Sequence, residues 1–71
     1  MKQYIISNPD ILGGKPVIVG TRIPVDQILF LLKSGFTMEA INEEYPQLDI
    51  QTISGTIDEA ALLINNASQI L

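Results

Sequence analysis

The 71-residue chain contains no cysteine and no histidine. Neither a disulfide nor a histidine-ligated metal can staple it, so one hydrophobic core has to hold the fold together. A domain of about 60 residues buries only about 60% of the surface its unfolded chain exposes, which leaves that core little margin. The same absences remove the commonest metal ligand and the commonest general base near neutral pH. Length allows a single domain over residues 1–71. Hydrophobic residues make up 46% of the sequence and mean hydropathy is +0.29. A short chain this apolar is expected to hide part of its surface against a partner.

The formal net charge of −4 is unevenly placed. The first 33 residues hold Lys2, Lys15, Arg22 and Lys33 against Asp10 and Asp26, a surplus of two positive charges. Residues 34–71 hold Glu39, Glu43, Glu44, Asp49, Asp58 and Glu59 and no base, which makes six negative charges. The N-terminal Ile5-Ile6 pair is far shorter than the apolar core of about 7–15 residues in a secretion signal. The longest apolar run, residues 28–32, falls well short of the roughly 18 residues of a membrane span. A cytoplasmic protein without a membrane partner is the expectation.

Residues 1–24 read as an extended arm. Tyr4-Ile5-Ile6 suits a strand, and Asn8-Pro9-Asp10 and Gly13-Gly14 suit turns. Val17-Ile18-Val19 is β-branched throughout and favours a second strand. Gly20-Thr21 then fits a two-residue type II′ turn, with Arg22-Ile23 returning as the other limb of a β-hairpin bracketed by Pro16 and Pro24.

Three helices follow over residues 25–71. Val25, Ile28, Leu29 and Leu32 form one apolar stripe over residues 25–33, and Ser34-Gly35 stops that helix. Phe30 and Leu31 fall on its other side. A second helix starts from Thr37 as N-cap, carries Met38, Ile41 and Tyr45 on one face, and ends before Pro46. A third starts from Asp49 as N-cap and runs to about residue 66, with residues 67–71 either fraying or docking as an apolar tail. Its inner face is Ile50, Ile53, Ile57, Ala60, Ala61 and Ile64; its outer face is Gln51, Thr52, Gly55, Glu59 and Leu62.

A short helix, a tight turn and a longer helix make a helix-turn-helix. With the first helix this gives a mostly α three-helix unit of the kind many DNA-binding modules use. The third helix offers Gln51, Thr52, Ser54 and Thr56 for base edges, but no cation, and Asp58 and Glu59 would repel phosphates. Lys15 and Arg22 flank the hairpin and can reach phosphates or carboxylates. The candidate DNA contacts are therefore Lys15, Arg22, Gln51 and Thr52. Gly55 beside Leu62 would let another helix approach closely. Phe30, Leu31, Gly55, Leu62 and Leu63 are the expected partner or dimer contacts, and a homodimer is the expected state.

Catalysis has little support. Glu43 and Glu44 point about 100° apart on a helix and make no acid–base pair. Glu39 and Glu43 share a face without a third ligand, so no metal site or cofactor is expected. Gly13-Gly14-Lys15-Pro16 lacks the spacing of a phosphate loop, and Pro16 removes an N–H that a phosphate cradle needs. The expectation is a protein that is not an enzyme.

The run from Asn8 to Val25, with its core Gly13-Gly14-Lys15-Pro16-Val17-Ile18-Val19-Gly20-Thr21-Arg22-Ile23, resembles the opening motif of the domain-of-unknown-function family 433. Gly35, Tyr45-Pro46 and Leu48 are also similar to that family, and the resemblance covers residues 5–61. It implies a homeodomain-like helix-turn-helix domain behind an N-terminal strand region. It also implies an antitoxin-like role in a type II toxin–antitoxin pair, with a PIN-like ribonuclease toxin as partner. Gly14, Lys15, Pro16, Gly20, Thr21 and Arg22 form the signature; the family supplies no catalytic residues. A DNA-binding regulator and a dimeric structural module remain the other expectations.

Overall fold

A computed structural model describes the backbone of residues 3–70 and the side chains of residues 3–66. The elements run β1 (Ile5–Ile6), a 3-10 turn (Leu12–Gly14), β2 (Val17–Ile18), α1 (Val25–Lys33), α2 (Met38–Glu44) and α3 (Ile50–Ile70). The chain is thus mostly α with a small two-stranded sheet.

β1 and β2 pair antiparallel, with Ile5 opposite Ile18 and Ile6 opposite Val17. Between them Leu12, Gly13 and Gly14 take φ of +50°, +65° and +90° in succession. Two of these left-handed positions are glycines, which adopt them freely; Leu12 incurs about 1–2 kcal/mol there. The expected type II′ turn at Gly20-Thr21 is not formed. The tight turn instead has Val19 and Gly20 at its centre, closed by the Thr21 N–H donating to the Ile18 carbonyl at 3.0 Å. Gly20 at φ +78° in the third position is the type II pattern. The Thr21 hydroxyl sets this shape, because it donates to the Ile18 carbonyl (2.8 Å) and accepts from the Ile23 N–H (3.0 Å). The returning limb is only a bridge between Val17 and Pro24. It leads directly into α1, whose first N–H, from Val25, donates to the Pro16 carbonyl at 3.0 Å.

α1 buries Val25, Ile28 and Leu31. Leu29 and Leu32 are partly buried against the same core. The buried arc is wider than one stripe because α2 and α3 both pack on this helix. Leu31, expected as a partner contact, is therefore a core residue at 8% exposure, while Phe30 stays out at 60%. α1 ends as the residue types require. The Phe36 N–H reaches the Leu31 carbonyl and the Gly35 N–H the Leu32 carbonyl, both at 3.0 Å, with Gly35 at φ +100°.

Both later helices start at their expected caps. The Ala40 N–H donates to the Thr37 hydroxyl at 3.1 Å, and the Thr52 N–H to the Asp49 carboxylate at 2.7 Å. Tyr45 closes α2 before Pro46, and Leu48 is buried in the connection. The backbone of α3 continues about one turn beyond the expected end, to Ile70. Whether residues 67–71 fray or dock, the two alternatives expected of them, lies outside the described side chains.

The inner face of α3 differs from the expected one. Ile53, Thr56 and Ala60 are buried and Ile57 packs at the edge, but Ile50, Ala61 and Ile64 are exposed. Two causes account for this. β1 packs along one flank of α3, which turns the buried arc toward Gly55 and Glu59 and away from Ile50 and Ala61. Ile64 lies where α3 runs on past the core, and every described residue from Ala61 to Asn66 is exposed. Thr56 is fully buried without loss, since its hydroxyl donates to the Thr52 carbonyl at 2.8 Å.

Candidate partner-binding surfaces

The N-terminal strand is fastened to α3 by two contacts absent from the sequence expectations. The two carboxylate oxygens of Glu59 accept the backbone N–H groups of Tyr4 (2.8 Å) and Ile5 (3.2 Å). One turn earlier, Gly55 leaves the space that the Tyr4 ring fills; a Cβ on Gly55 would overlap that ring. The close approach expected of a partner helix at Gly55 is thus made by Tyr4 of the same chain. Glu59 is likewise tied up internally. A glycine followed four residues later by a carboxylate, on one flank of a helix, was the available signal; nothing in spacing named the strand that would use it.

Most of the signature also builds the fold. Gly14 and Gly20 supply positive φ, Pro16 receives the first N–H of α1, and Thr21 ties the turn. The Lys15 ammonium lies 2.9 Å from the Asp26 carboxylate, and both side chains are about half exposed (48% and 63%). Such a surface pair contributes at most about 1 kcal/mol, but it neutralises Lys15 locally. Arg22 differs: it is exposed and makes no hydrogen bond or ion pair among the described residues.

The outward side of α3 presents Gln51 and Asp58, both exposed. Thr52 is half-buried, with its N–H held by Asp49 and its carbonyl by Thr56. The candidate DNA contacts therefore divide: Lys15 is paired, Thr52 is engaged along its backbone, and Arg22 and Gln51 are exposed without a side-chain partner among the described residues. Glu39, Glu43, Glu44 and Asp58 are exposed and meet no cation among the described residues. Four negative charges thus stand on two helices that carry no base. Of the apolar candidates, Phe30, Leu62 and Leu63 are exposed. Among the described residues no three acidic side chains gather to hold a metal ion. No described helix is long and apolar enough to cross a membrane.

These features define a small mostly α domain with an N-terminal two-stranded sheet, an exposed acidic surface and exposed apolar side chains. The model of the family described as "Protein of unknown function (DUF433)" matches residues 5–59, and the chain belongs to that family. It is also similar to y4eO, an uncharacterized protein of Sinorhizobium fredii (strain NBRC 101917 / NGR234). The two are 40% identical over 52 residues, which cover 73% of this chain and 24% of the relative. The chain thus matches less than a quarter of the length of that relative. No solved structure matches it with statistical significance.

Proposed function

We propose that this protein is the antitoxin-like member of a type II toxin–antitoxin pair, a binding protein that masks a ribonuclease toxin of the PIN-like kind. One observation carries the reading. Glu39, Glu43, Glu44 and Asp58 are exposed, without an ion-pair partner among the described residues, on a helical region that has no base after Lys33. A surface that binds RNA is built from cations, and an exposed acidic surface complements it in sign, steering encounter and disfavouring other partners. The protein acts by occupying the nuclease surface and needs no catalytic residue of its own.

A second reading, a homeodomain-like helix-turn-helix that binds DNA, is favoured by the succession of α2, a tight connection and α3, and by the free side chains of Arg22 and Gln51. It ranks below the first because DNA affinity rests on cations that neutralise phosphates, and Asp58 stands on the side of α3 that would enter the groove. The masking role predicts a ribonuclease reading frame adjoining the gene. Co-expression is expected to relieve that nuclease's toxicity, and a variant with Glu39, Glu43, Glu44 and Asp58 changed to Gln or Asn is expected to relieve it much less. Undiminished toxicity beside the unaltered chain would refute the role.

A further inference from the structure

An open apolar groove of about 250 Å³ lies between β1, α1 and the C-terminal half of α3. Ile5, Val25, Leu29 and Ala60 line it together with Leu63 and Ile64 of α3, which stand 53% and 65% exposed where the helix runs past the core. We infer that a second copy of this chain occupies the groove, in a two-fold dimer in which Leu63 and Ile64 of each copy fill the groove of the other. This inference is independent of the masking role, which uses other residues.

Three observations select a second copy. The first is shape. Groove and apolar ridge adjoin on one face, so a two-fold axis brings each ridge to the opposite groove, as a self-complementary interface requires. The second is charge. Two chains of net charge −4 repel each other, and they meet best where that charge is missing. Among the described residues the ionic ones lining the groove are Lys15 and Asp26, which cancel each other at 2.9 Å. The third is area. A folded monomer of 7.8 kDa is expected to expose about 4,400 Å² and to have a radius of gyration of about 11 Å. This chain exposes 4910 Å² and has a radius of 12.3 Å. Part of that excess is the exposed apolar surface of Leu63 and Ile64 at the groove, and a standard stable interface buries roughly 800 Å² on each partner.

Sedimentation equilibrium on the full chain at roughly tens of micromolar, a concentration at which micromolar association is visible, tests this directly. The unaltered protein is expected to sediment as a dimer. The double variant Leu63→Lys, Ile64→Lys is expected to sediment as a monomer with its helical circular dichroism kept, its association weakened at least about a hundredfold. Leu62→Lys, on the other side of the same exposed turn, should leave the dimer intact. Lys15→Glu, an exposed change that leaves two like charges at the groove, should weaken the dimer as well; it decides the matter if the double variant does not fold. A monomeric unaltered chain overturns the inference. So does a dimer that Leu62→Lys breaks, or one that survives both the double variant and Lys15→Glu.

Discussion

Ile53→Ala is expected to lower stability by about 2–5 kcal/mol and to leave much of the protein unfolded near 37 °C. Ile53 is fully buried, in a core that also holds Ile28, Ile41 and Leu48 at 0–1% exposure. Truncation removes three methyl or methylene groups and leaves a cavity that rigid neighbours on three helices cannot fill. A 71-residue chain has a total stability of roughly 4–11 kcal/mol, and with no cysteine it has no covalent reserve. Each 1 kcal/mol shifts the melting temperature of so small a domain by about 4–8 °C, so a drop of about 8 °C or more is expected. Urea denaturation at one fixed protein concentration measures it, since any dimer makes stability concentration-dependent. A loss below about 1 kcal/mol would contradict the packing described.

Gly55→Leu is expected to carry the next largest effect, with a sign opposite to helix propensity. Leucine in place of glycine favours an exposed helix by up to about 1 kcal/mol. Here the new side chain needs the volume that the Tyr4 ring holds. Overpacking of this kind incurs about 1–3 kcal/mol, so a net loss is expected. The ring also sets the position of the Tyr4 and Ile5 amides on Glu59, and amide exchange at those two positions should speed up. A double-mutant cycle isolates the cause. With Tyr4→Ala already present, Gly55→Leu should stop destabilising and become neutral or favourable, giving a coupling of roughly 1–3 kcal/mol. Equal losses in both backgrounds would show that Gly55 has some other role.

These two positions also mark how far the sequence could be read. Local signals placed the helices well. Thr37 and Asp49 cap the starts expected of them, Ser34-Gly35 and Pro46 end the helices they follow, and Val17-Ile18 forms a strand. Each of those features is decided by a few neighbouring residues. What failed was decided at a distance. The buried face of α3 depends on β1, some 55 residues away in the chain, as the Tyr4 and Glu59 pairing shows. Periodicity alone put Ile50, Ala61 and Ile64 inside and Gly55 and Glu59 outside, because it has no knowledge of a strand lying along one flank. Leu31 was misplaced for a similar reason, since α1 is covered from two sides. The turn after β2 was misjudged through one hydroxyl, Thr21, whose two hydrogen bonds favour a type II turn centred on Val19-Gly20 over a type II′ turn at Gly20-Thr21. For the surface, the charge split was fully visible in the sequence, whereas the pairing of Lys15 with Asp26 was not.

The most direct measurement is an RNA cleavage assay on the purified ribonuclease that the proposed role places in the adjoining reading frame, titrated with this protein at low and at moderate salt. Masking by the acidic surface predicts inhibition that saturates at a fixed stoichiometry and weakens as salt screens the exposed carboxylates. It also predicts that the variant lacking the charges of Glu39, Glu43, Glu44 and Asp58 inhibits far less while keeping its fold. Cleavage that continues unchanged at saturating protein, or inhibition indifferent to those four charges, would contradict the proposed role.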